Sequence, residues 1–171
     1  MEEAMPERRV YLVRHAIAEE VAKSGRDDDR ELTPDGRKKM ARAAKGLVAL
    51  GVEVDLLVSS PLVRAVQTAD EIAEKLPKVR RDVWPELANG GDERALAARV
   101  EETSGANVML VGHEPDLGRT LSYWLTGRPD DFATYVRKGS VACLLAGGLP
   151  PHGRATLEWF STARQLGLVR D

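Results

Sequence analysis

The sequence has few of the features that mark a secreted, membrane-bound or nucleic-acid-binding protein. Its 171 residues include one cysteine, Cys143, which excludes an internal disulfide framework and suits a reducing compartment. No apolar run approaches the roughly 18 residues that a membrane span needs, and the charged start MEEAMPERR lacks the apolar stretch of a secretory signal. The net charge of −2 gives no excess of positive charge for a nucleic acid or an anionic membrane. We therefore expect a cytoplasmic protein with neither kind of partner.

The rest of the composition is that of an ordinary globular domain. Hydrophobic residues make up 43% of the chain and charged residues 30%. A chain of 171 residues fits one domain that buries about two-thirds of its unfolded surface. We expect a flexible N-terminus over residues 1–9, a single domain over residues 10–171 and a buried thiol at Cys143, which lies in the apolar run SVACLLAG. The sequence does not decide the oligomeric state, for which a monomer is the expectation.

Short β-branched runs alternate with longer amphipathic segments along the chain. Strands are predicted over residues 10–13, 54–58, 107–111, 140–146 and 155–160, with a short edge strand within 79–83. Helices are predicted to begin at Thr33-Pro34, at Ser60-Pro61, at Asp92 and near Pro115-Asp116. This alternation predicts a single three-layer α/β/α domain with a mainly parallel central sheet. The last two strands are expected to pair antiparallel at one edge.

Three of the predicted strands end in polar side chains that are able to do chemistry. The first ends in Arg14-His15, the second is followed by Ser59-Ser60-Pro61 and then Arg64, and the third ends in Gly112-His113-Glu114. Ligands of open α/β sheets bind at the carboxyl ends of the strands. We therefore expect these side chains to converge on one pocket.

Two arginines and two histidines beside a helix N-terminus suit a phosphoryl group. A guanidinium presents a rigid fork of donors to phosphate oxygens, and a helix N-terminus adds backbone N–H groups. A neutral histidine can bond covalently to phosphorus through a ring nitrogen, and neighbouring arginines favour the neutral form. The pattern thus predicts phosphoryl transfer with a histidine nucleophile.

Four segments carry a family resemblance and cover nearly the whole chain from Val10 onward. They are LVRHAIAE, LTPDGRKKMA, SSPLVRAVQTADEIA and VGHEPDLGRTLSYW. In this order they resemble the histidine phosphatase superfamily, also called phosphoglycerate-mutase-like, and within it the small phosphohistidine phosphatase (SixA-type) branch. The resemblance implies the phosphoglycerate-mutase-like fold and a metal-independent phosphatase.

The resemblance also implies a role for each matching residue. His15 is the nucleophile that becomes phosphorylated, Arg14 and Arg64 hold the phosphoryl oxygens, and His113 donates to the phosphoryl group in the transition state. The reaction then consists of two in-line displacements, from substrate to His15 and from phosphohistidine to water. Positioning and positive charge stabilise such a transition state, so we expect no metal and no cofactor. The expected partner is phosphate or a phosphorylated substrate, with a phosphohistidine-bearing signalling protein as the favoured one.

Two details depart from the wider superfamily. The chain has Ala16 after Arg14-His15, where the wider superfamily more often has glycine. The alanine adds one methyl group and restricts φ. Larger relatives use a carboxylic acid to protonate an ester leaving oxygen, and here Glu86 is the first candidate, Asp92 is weaker and Glu114 is a third. An acid matters less for an N–P bond, because the leaving imidazole can already carry a proton. This chemistry favours phosphohistidine over alkyl phosphate esters.

Three other functions compete with this reading. A small-molecule phosphomonoesterase needs large capping insertions, for which the compact chain leaves few residues. A non-catalytic phosphate-binding module would keep the arginines without needing His15. A zinc hydrolase using His15 and His113 lacks an HExxH motif, and the flanking arginines would repel a cation.

The remaining polar motifs have plainer interpretations. The run GRDDDRE over residues 25–31 lacks the pattern of a calcium loop and is expected to be solvated. A less favoured alternative places it at the pocket mouth, where Arg30 meets substrate. Asp116 is expected as a helix-start carboxylate. His152 lies in the turn LPPHGRA and is expected to be exposed.

Overall fold

A six-stranded sheet runs through the centre of the computed structural model, which describes residues 7–170. The strands are β1 (Arg8–Arg14), β2 (Leu56–Ser59), β3 (Arg80–Val83), β4 (Val108–Gly112), β5 (Val141–Ala146) and β6 (Ala155–Ser161). Their order is β3-β2-β4-β1-β5-β6. The β2–β3, β2–β4 and β1–β4 pairs are parallel, whereas β1–β5 and β5–β6 are antiparallel. The predicted mainly parallel sheet with an antiparallel addition at one edge is therefore confirmed.

Helices cover both faces of this sheet. They are α1 (Pro34–Ala49), α2 (Val63–Ala73), α3 (Glu93–Glu101), α4 (Asp116–Thr126) and α5 (Ala163–Leu166). Successive β1 side chains point to opposite faces: Val10 and Leu12 pack with α3 and α4, whereas Tyr11 and Val13 pack with α1, α2 and α5. Two apolar cores on either side of one sheet make the predicted three-layer α/β/α domain. Within residues 7–170, no helix combines the length and the apolar character needed to cross a membrane.

Three of the predicted helix starts match the structure. The Thr33 hydroxyl accepts a hydrogen bond from the Gly36 N–H at 2.9 Å and caps α1, whose first residue is Pro34. The Asp92 carboxylate caps α3 by accepting from the Arg94 N–H at 2.8 Å. Helix α4 begins at Asp116, as expected.

The start of α2 was predicted wrongly. The helix begins at Val63, and its N-cap residue Leu62 makes no side-chain cap. Ser60 instead accepts a hydrogen bond from the Leu62 N–H at 3.1 Å, in the turn that precedes the helix. The Ser60 side chain also contacts His113, so the serine belongs to the site and not to a helix cap.

Strand β1 is longer than predicted. It begins at Arg8, so Arg8 and Arg9 form part of the sheet although they were expected in a flexible N-terminus. The Arg8 guanidinium is buried and binds the Val100 carbonyl at 3.1 Å and the Glu101 carboxylate at 2.9 Å. These contacts fix the start of the strand to the end of α3. The other residues expected to be flexible lie outside the described residues, apart from Glu7.

Helix α5 was not predicted. Its four residues follow a capping box formed by Thr162 and Gln165. The helix lies against α1 at Gly46, where an added Cβ would come 1.9 Å from the Leu166 carbonyl oxygen. A glycine at this position is what allows the two helices to pack so closely.

Candidate active site

The carboxyl ends of β1, β4 and β2 are neighbours in the sheet. The His15 N–H donates to the Gly112 carbonyl at 3.0 Å, which joins the end of β1 to the end of β4. The Ser60 N–H donates to the Val111 carbonyl at 3.0 Å, which joins the end of β2 to the same strand. The three polar strand ends therefore converge in the way that the sequence predicted.

His15 is buried, with 5% of its surface exposed. Its Nδ1 lies 2.8 Å from the Ala16 carbonyl oxygen. Because a carbonyl oxygen only accepts, Nδ1 carries the ring proton and Nε2 keeps its lone pair. Burial, reinforced by the nearby His113 and the two arginines, lowers the pKa of His15 to about 3. The side chain is thus a neutral imidazole with Nε2 available as a nucleophile.

His113 lies beside it, with the two ring centroids 5.1 Å apart. Its Nε2 is 2.8 Å from the Ser60 hydroxyl oxygen. Since that oxygen already accepts from the Leu62 N–H, its own hydrogen is free to be donated to Nε2. In the tautomer that accepts this hydrogen, the ring proton of His113 is on Nδ1. Burial and then the charge of Arg64 lower the pKa of His113 to about 4, so the ring is neutral at pH 7.

Arg64 is the second residue of α2 and is buried, with 3% of its surface exposed. It donates to Asp27 twice, to the carbonyl oxygen at 2.9 Å and to the carboxylate at 3.1 Å. Asp27 begins a short 3₁₀ turn that covers this side of the site. A carboxylate therefore occupies part of the arginine fork in the free protein.

Thr68 joins α2 to the loop after β1. Its hydroxyl accepts from the Ala16 N–H at 2.9 Å and donates to the Arg64 carbonyl at 2.7 Å. One buried side chain thereby ties the helix that carries Arg64 to the residue that follows His15. Ala16 itself fits without backbone strain, because Ser104 is the only non-glycine residue with positive φ among residues 7–170.

Arg14 ends β1 and is held by a loop from the far half of the chain. It donates to the Tyr135 hydroxyl at 2.9 Å and to the Val136 carbonyl at 3.1 Å. The Tyr135 ring also lies against the guanidinium, whose carbon is 5.3 Å from the ring centroid. Glu114 anchors the loop by accepting from the Val136 N–H at 2.5 Å and from the Gly118 N–H at 3.2 Å.

Three buried side-chain nitrogens of the site make no hydrogen bond among the described residues. They are Nε of Arg14, Nε of Arg64 and Nδ1 of His113. Buried donors are costly to leave unpaired, so they mark a place where a ligand completes the bonding. All three donors match phosphoryl oxygens. The four side chains predicted from the sequence, including His15, are thus brought together at one edge of the sheet.

The three candidate acids are all engaged elsewhere. Asp92 caps α3, and both oxygens of Glu114 accept backbone N–H groups. Glu86 lines a small recess together with His113, but its Oε2 accepts from Arg99 at 2.6 Å. Asp92 lines the same recess, so Glu86 and Asp92 both lie beside His113, each already bonded to another part of the chain.

Several functional contacts escaped sequence reasoning. Ser60 was predicted as a helix cap and not as a partner of His113, and Asp27, Thr68 and Tyr135 were not singled out. Asp27 lies in the acidic run that was expected to be solvated, and its neighbour Arg30 donates to the Asp27 carboxylate at 2.9 Å. The sequence offered only local signals for two of these contacts. Ser60 stands in SSP directly after an apolar strand, and Thr68 follows Arg64 by one helical turn on the same face.

Of the other predicted side chains, Asp116 lines the recess beside His113, whereas Cys143 and His152 do not. Cys143 is buried as expected, 3.4 Å from a Glu158 oxygen, and burial raises the pKa of the thiol to about 12. His152 is exposed, and the Asp116 carboxylate accepts from the Gly90 N–H at 2.8 Å. Over residues 7–170, histidine, cysteine, aspartate and glutamate side chains form no group of three that could bind a metal ion.

Comparison with known proteins extends over nearly the whole chain. The family described as Histidine phosphatase superfamily (branch 1) matches residues 10–93. An uncharacterized protein of a Picosynechococcus strain is 38% identical over 112 residues, which are 64% of this chain and 68% of that protein. The phosphohistidine phosphatase SixA of Escherichia coli is 28% identical over 155 residues, or 88% and 91% of the two chains. The solved structure of the protein histidine phosphatase SixA complexed with tungstate superposes with a TM-score of 0.79 at 24% identity, covering 92% of this chain and 99% of the other.

Proposed function

Since the chain belongs to the histidine phosphatase superfamily, we propose that it is a protein phosphohistidine phosphatase whose phosphoryl group passes through His15. The observation that carries this proposal is the state of His15. Its Nδ1 is bound by the Ala16 carbonyl, its pKa is lowered to about 3, and its Nε2 lone pair lies in a site that also contains Arg14 and Arg64. A neutral, oriented imidazole among fixed positive charges is what attack on phosphorus requires.

The first displacement transfers the phosphoryl group between two imidazoles. Nε2 of His15 forms a bond to phosphorus while the bond from phosphorus to the substrate nitrogen breaks. The substrate ring leaves as a neutral imidazole, because its other nitrogen already carries a proton. The phosphorylated His15 ring gains a positive charge and keeps its Nδ1 proton on the Ala16 carbonyl. No proton has to move, so the step needs no acid.

The second displacement uses water. A water oxygen bonds to phosphorus, the bond to Nε2 breaks, and both water protons leave with the released dihydrogen phosphate. His15 returns to its neutral state with Nδ1 still protonated. Arg14, Arg64 and the Nδ1–H of His113 donate to the phosphoryl oxygens in both steps, which stabilises the charge of each transition state.

The engaged carboxylates support phosphohistidine as the substrate class. The alcohol part of an alkyl phosphate ester leaves as an alkoxide unless an acid protonates its oxygen. Glu86, Asp92 and Glu114 each already accept at least one hydrogen bond from another part of the chain. An N–P bond is cleaved without such help. The similarity to SixA of Escherichia coli, which is named a phosphohistidine phosphatase, supports the same substrate.

The test is phosphate release from a histidine-phosphorylated protein in the presence of EDTA. We expect rapid release by the wild type and a loss of at least about 1,000-fold in His15→Asn, because no other side chain offers the nucleophile. His152→Asn is the matched control, since it removes an exposed histidine. A mass increase of one phosphoryl group on His15 after rapid quenching would identify the intermediate.

Two outcomes would contradict the proposal. Full activity in His15→Asn would remove the assigned nucleophile. Turnover of p-nitrophenyl phosphate without any release from phosphohistidine would instead indicate a phosphomonoesterase.

A further inference from the structure

A basic groove lies on the sheet face that carries α1, α2 and α5. It consists of two adjoining depressions of about 530 and 420 Å³. Both are lined by Arg42 and Gly167, so they form one continuous surface feature. Its lining includes residues of α1 and α5, two helices that pack closely where Gly46 meets Leu166. The groove is therefore part of the rigid fold.

Positive charge is concentrated in this groove. Eight lysines and arginines line it, and among residues 7–170 no aspartate or glutamate does. Arg42 and Lys45 come from α1, Lys138 precedes β5, and Arg164 comes from α5. Of these eight side chains, only Lys39 has an ion-pair partner among residues 7–170, and that partner is the carboxylate of Asp35 at 2.9 Å. The whole chain has a net charge of −2, so the groove is a local concentration of positive charge that attracts an anionic partner.

The groove also exposes apolar side chains. Val48 is 46% exposed in one depression and Leu168 is 67% exposed in the other. A polyphosphate or the phosphate backbone of a nucleic acid has no apolar groups that would pack against these side chains. A protein surface that carries both carboxylates and apolar side chains matches them.

One end of the groove reaches the rim of the active site. Ile17, two residues after His15, lines the smaller depression. Arg137 and Lys138 line it as well, and they follow Val136, whose carbonyl binds Arg14. A molecule that lies along the groove therefore extends toward the residues that receive the phosphoryl group.

We propose that this groove docks the phosphoprotein substrate through an acidic face that contains leucine or similar side chains. The inference rests on the proposed function, because it takes the molecule in the groove to be the donor of the phosphoryl group. Docking raises the concentration of phosphohistidine at His15 and lowers KM without taking part in the chemistry.

Binding is tested with a fluorescent helical peptide that presents both glutamate and leucine on one face. The probe is titrated with the wild type and with the double variant Arg42→Glu/Lys45→Glu, which reverses two exposed charges of α1. The matched control is Arg128→Glu, an exposed arginine beyond α4 on the opposite face. We expect the double variant to bind at least about tenfold more weakly and the control to bind like the wild type.

Activity is measured separately on phosphoramidate and on the same peptide carrying phosphohistidine. The double variant should hydrolyse phosphoramidate at the wild-type rate, which also shows that it is folded. Its KM for the phosphohistidine peptide should rise at least about tenfold with little change in kcat. For the wild type, added salt should raise the KM for the phosphohistidine peptide more than the KM for a version in which glutamine replaces glutamate, because only the first peptide adds ionic contacts in the groove.

The outcomes separate the two proposals. Failure of the wild type to hydrolyse phosphoramidate would count against the proposed function. Equal peptide binding by the wild type and the double variant would overturn the docking surface alone. Tighter binding of a poly(U) RNA or of phosphatidylserine vesicles, lost in the double variant, would also overturn it, because the groove would then serve another class of partner.

Discussion

His15 and His113 are buried imidazoles that the folded protein keeps neutral, and their burial makes the folded state less stable at acidic pH. Their pKa values are lowered to about 3 and about 4, mainly by burial. In the unfolded chain the same residues titrate near pH 6.5. Below that pH the unfolded state binds more protons than the folded state, so stability falls as the pH falls and is unaffected above pH 7.

The first prediction concerns stability between pH 7 and pH 5. Each buried histidine should lower the free energy of unfolding by up to about 2 kcal/mol over this range. Urea unfolding of wild type and His113→Asn at both pH values measures the difference. The variant should lose less stability than the wild type, whereas His152→Asn should behave like the wild type because His152 is exposed. Identical losses in all three proteins would contradict the assignment.

The second prediction compares two adjacent buried serines. Ser60→Ala removes the partner of His113 Nε2, and a lost hydrogen bond of about 1.4 kcal/mol corresponds to a tenfold lower kcat/KM. Ser59→Ala is the matched control, because the Ser59 hydroxyl makes no hydrogen bond among the described residues. Steady-state kinetics on phosphoramidate should show the loss only in Ser60→Ala. A similar loss in both would point to packing and not to His113.

The third prediction concerns the carboxylate that occupies Arg64. A phosphoryl group competes with Asp27 for the guanidinium, since the Asp27 carboxylate lies 3.1 Å from it. Asp27→Asn removes the competing charge and should strengthen inhibition by inorganic phosphate, by about tenfold for one charged contact. Asp28→Asn is the control, because it removes a neighbouring carboxylate that forms no ion pair with Arg64. Weaker inhibition in Asp27→Asn would show that Asp27 supports the phosphate site.

These residue-scale contacts explain why the site was only partly predictable. Arg14, His15, Arg64 and His113 stand in recognisable motifs at strand ends, and the sequence was sufficient to group them. The Asp27–Arg64 contact joins residues 37 positions apart, and the Arg14–Tyr135 contact spans 121. No local pattern marks such pairs, because they depend on how distant loops fold over the sheet.

At the scale of elements, α1 must approach the loop after His15 very closely. A Cβ added at Gly36 would lie 2.1 Å from the Ile17 carbonyl oxygen, closer than any real contact. The Thr33 N–H also donates to that oxygen at 3.0 Å, so the loop cannot shift without losing a bond. The glycine in LTPDGR thereby sets the distance between a helix and the strand end that carries His15.

The fourth prediction is that Gly36→Ala damages both stability and activity. Either α1 or the loop has to move, at a cost of about 1–3 kcal/mol, and His15 lies two residues from the clash. Gly148→Ala adds the same methyl group where the nearest neighbour is 3.9 Å away, which makes it the matched control. Thermal unfolding and phosphoramidate hydrolysis of the two variants provide the comparison. Wild-type values for Gly36→Ala would show that α1 tolerates a shift.

The elements themselves were predictable where their signals are local. Thr33 and Asp92 are caps that the sequence shows directly, and β-branched runs mark the central strands. The same reasoning failed at Ser60, whose side chain contacts a histidine on another strand. It also missed α5, because a four-residue helix is too short to show a helical repeat.

At the scale of the whole molecule, the unpaired donors of the site link ligand binding to stability. Nε of Arg14, Nε of Arg64 and Nδ1 of His113 make no hydrogen bond among residues 7–170, and in the proposed function an oxyanion is their partner. A ligand that binds only the folded state stabilises it by about 2.7 kcal/mol at a concentration 100 times its Kd.

The fifth prediction is therefore a rise in Tm with a tetrahedral oxyanion. Saturating tungstate should raise Tm by about 5 °C or more, since 1 kcal/mol corresponds to about 2–4 °C for a domain of this size. Arg64→Gln should show a much smaller rise because it loses a principal charge of the site. Differential scanning calorimetry measures both proteins. An equal rise in the two would place the anion elsewhere, for example in the basic groove.

The order of the strands in the sheet also governs how the protein can be made. Among the strands of the described sheet, the neighbours of β1 are β4 and β5, and Val10 pairs with Val108. A ribosome therefore releases the apolar β1 long before either neighbour exists, and the growing chain carries an unpaired strand through most of its synthesis. His15 likewise has no Gly112 carbonyl to hold it until β4 emerges. Nascent chains that stop short of β4 are consequently inactive and prone to aggregate, so the cell gains the enzyme only from chains that run through both late strands.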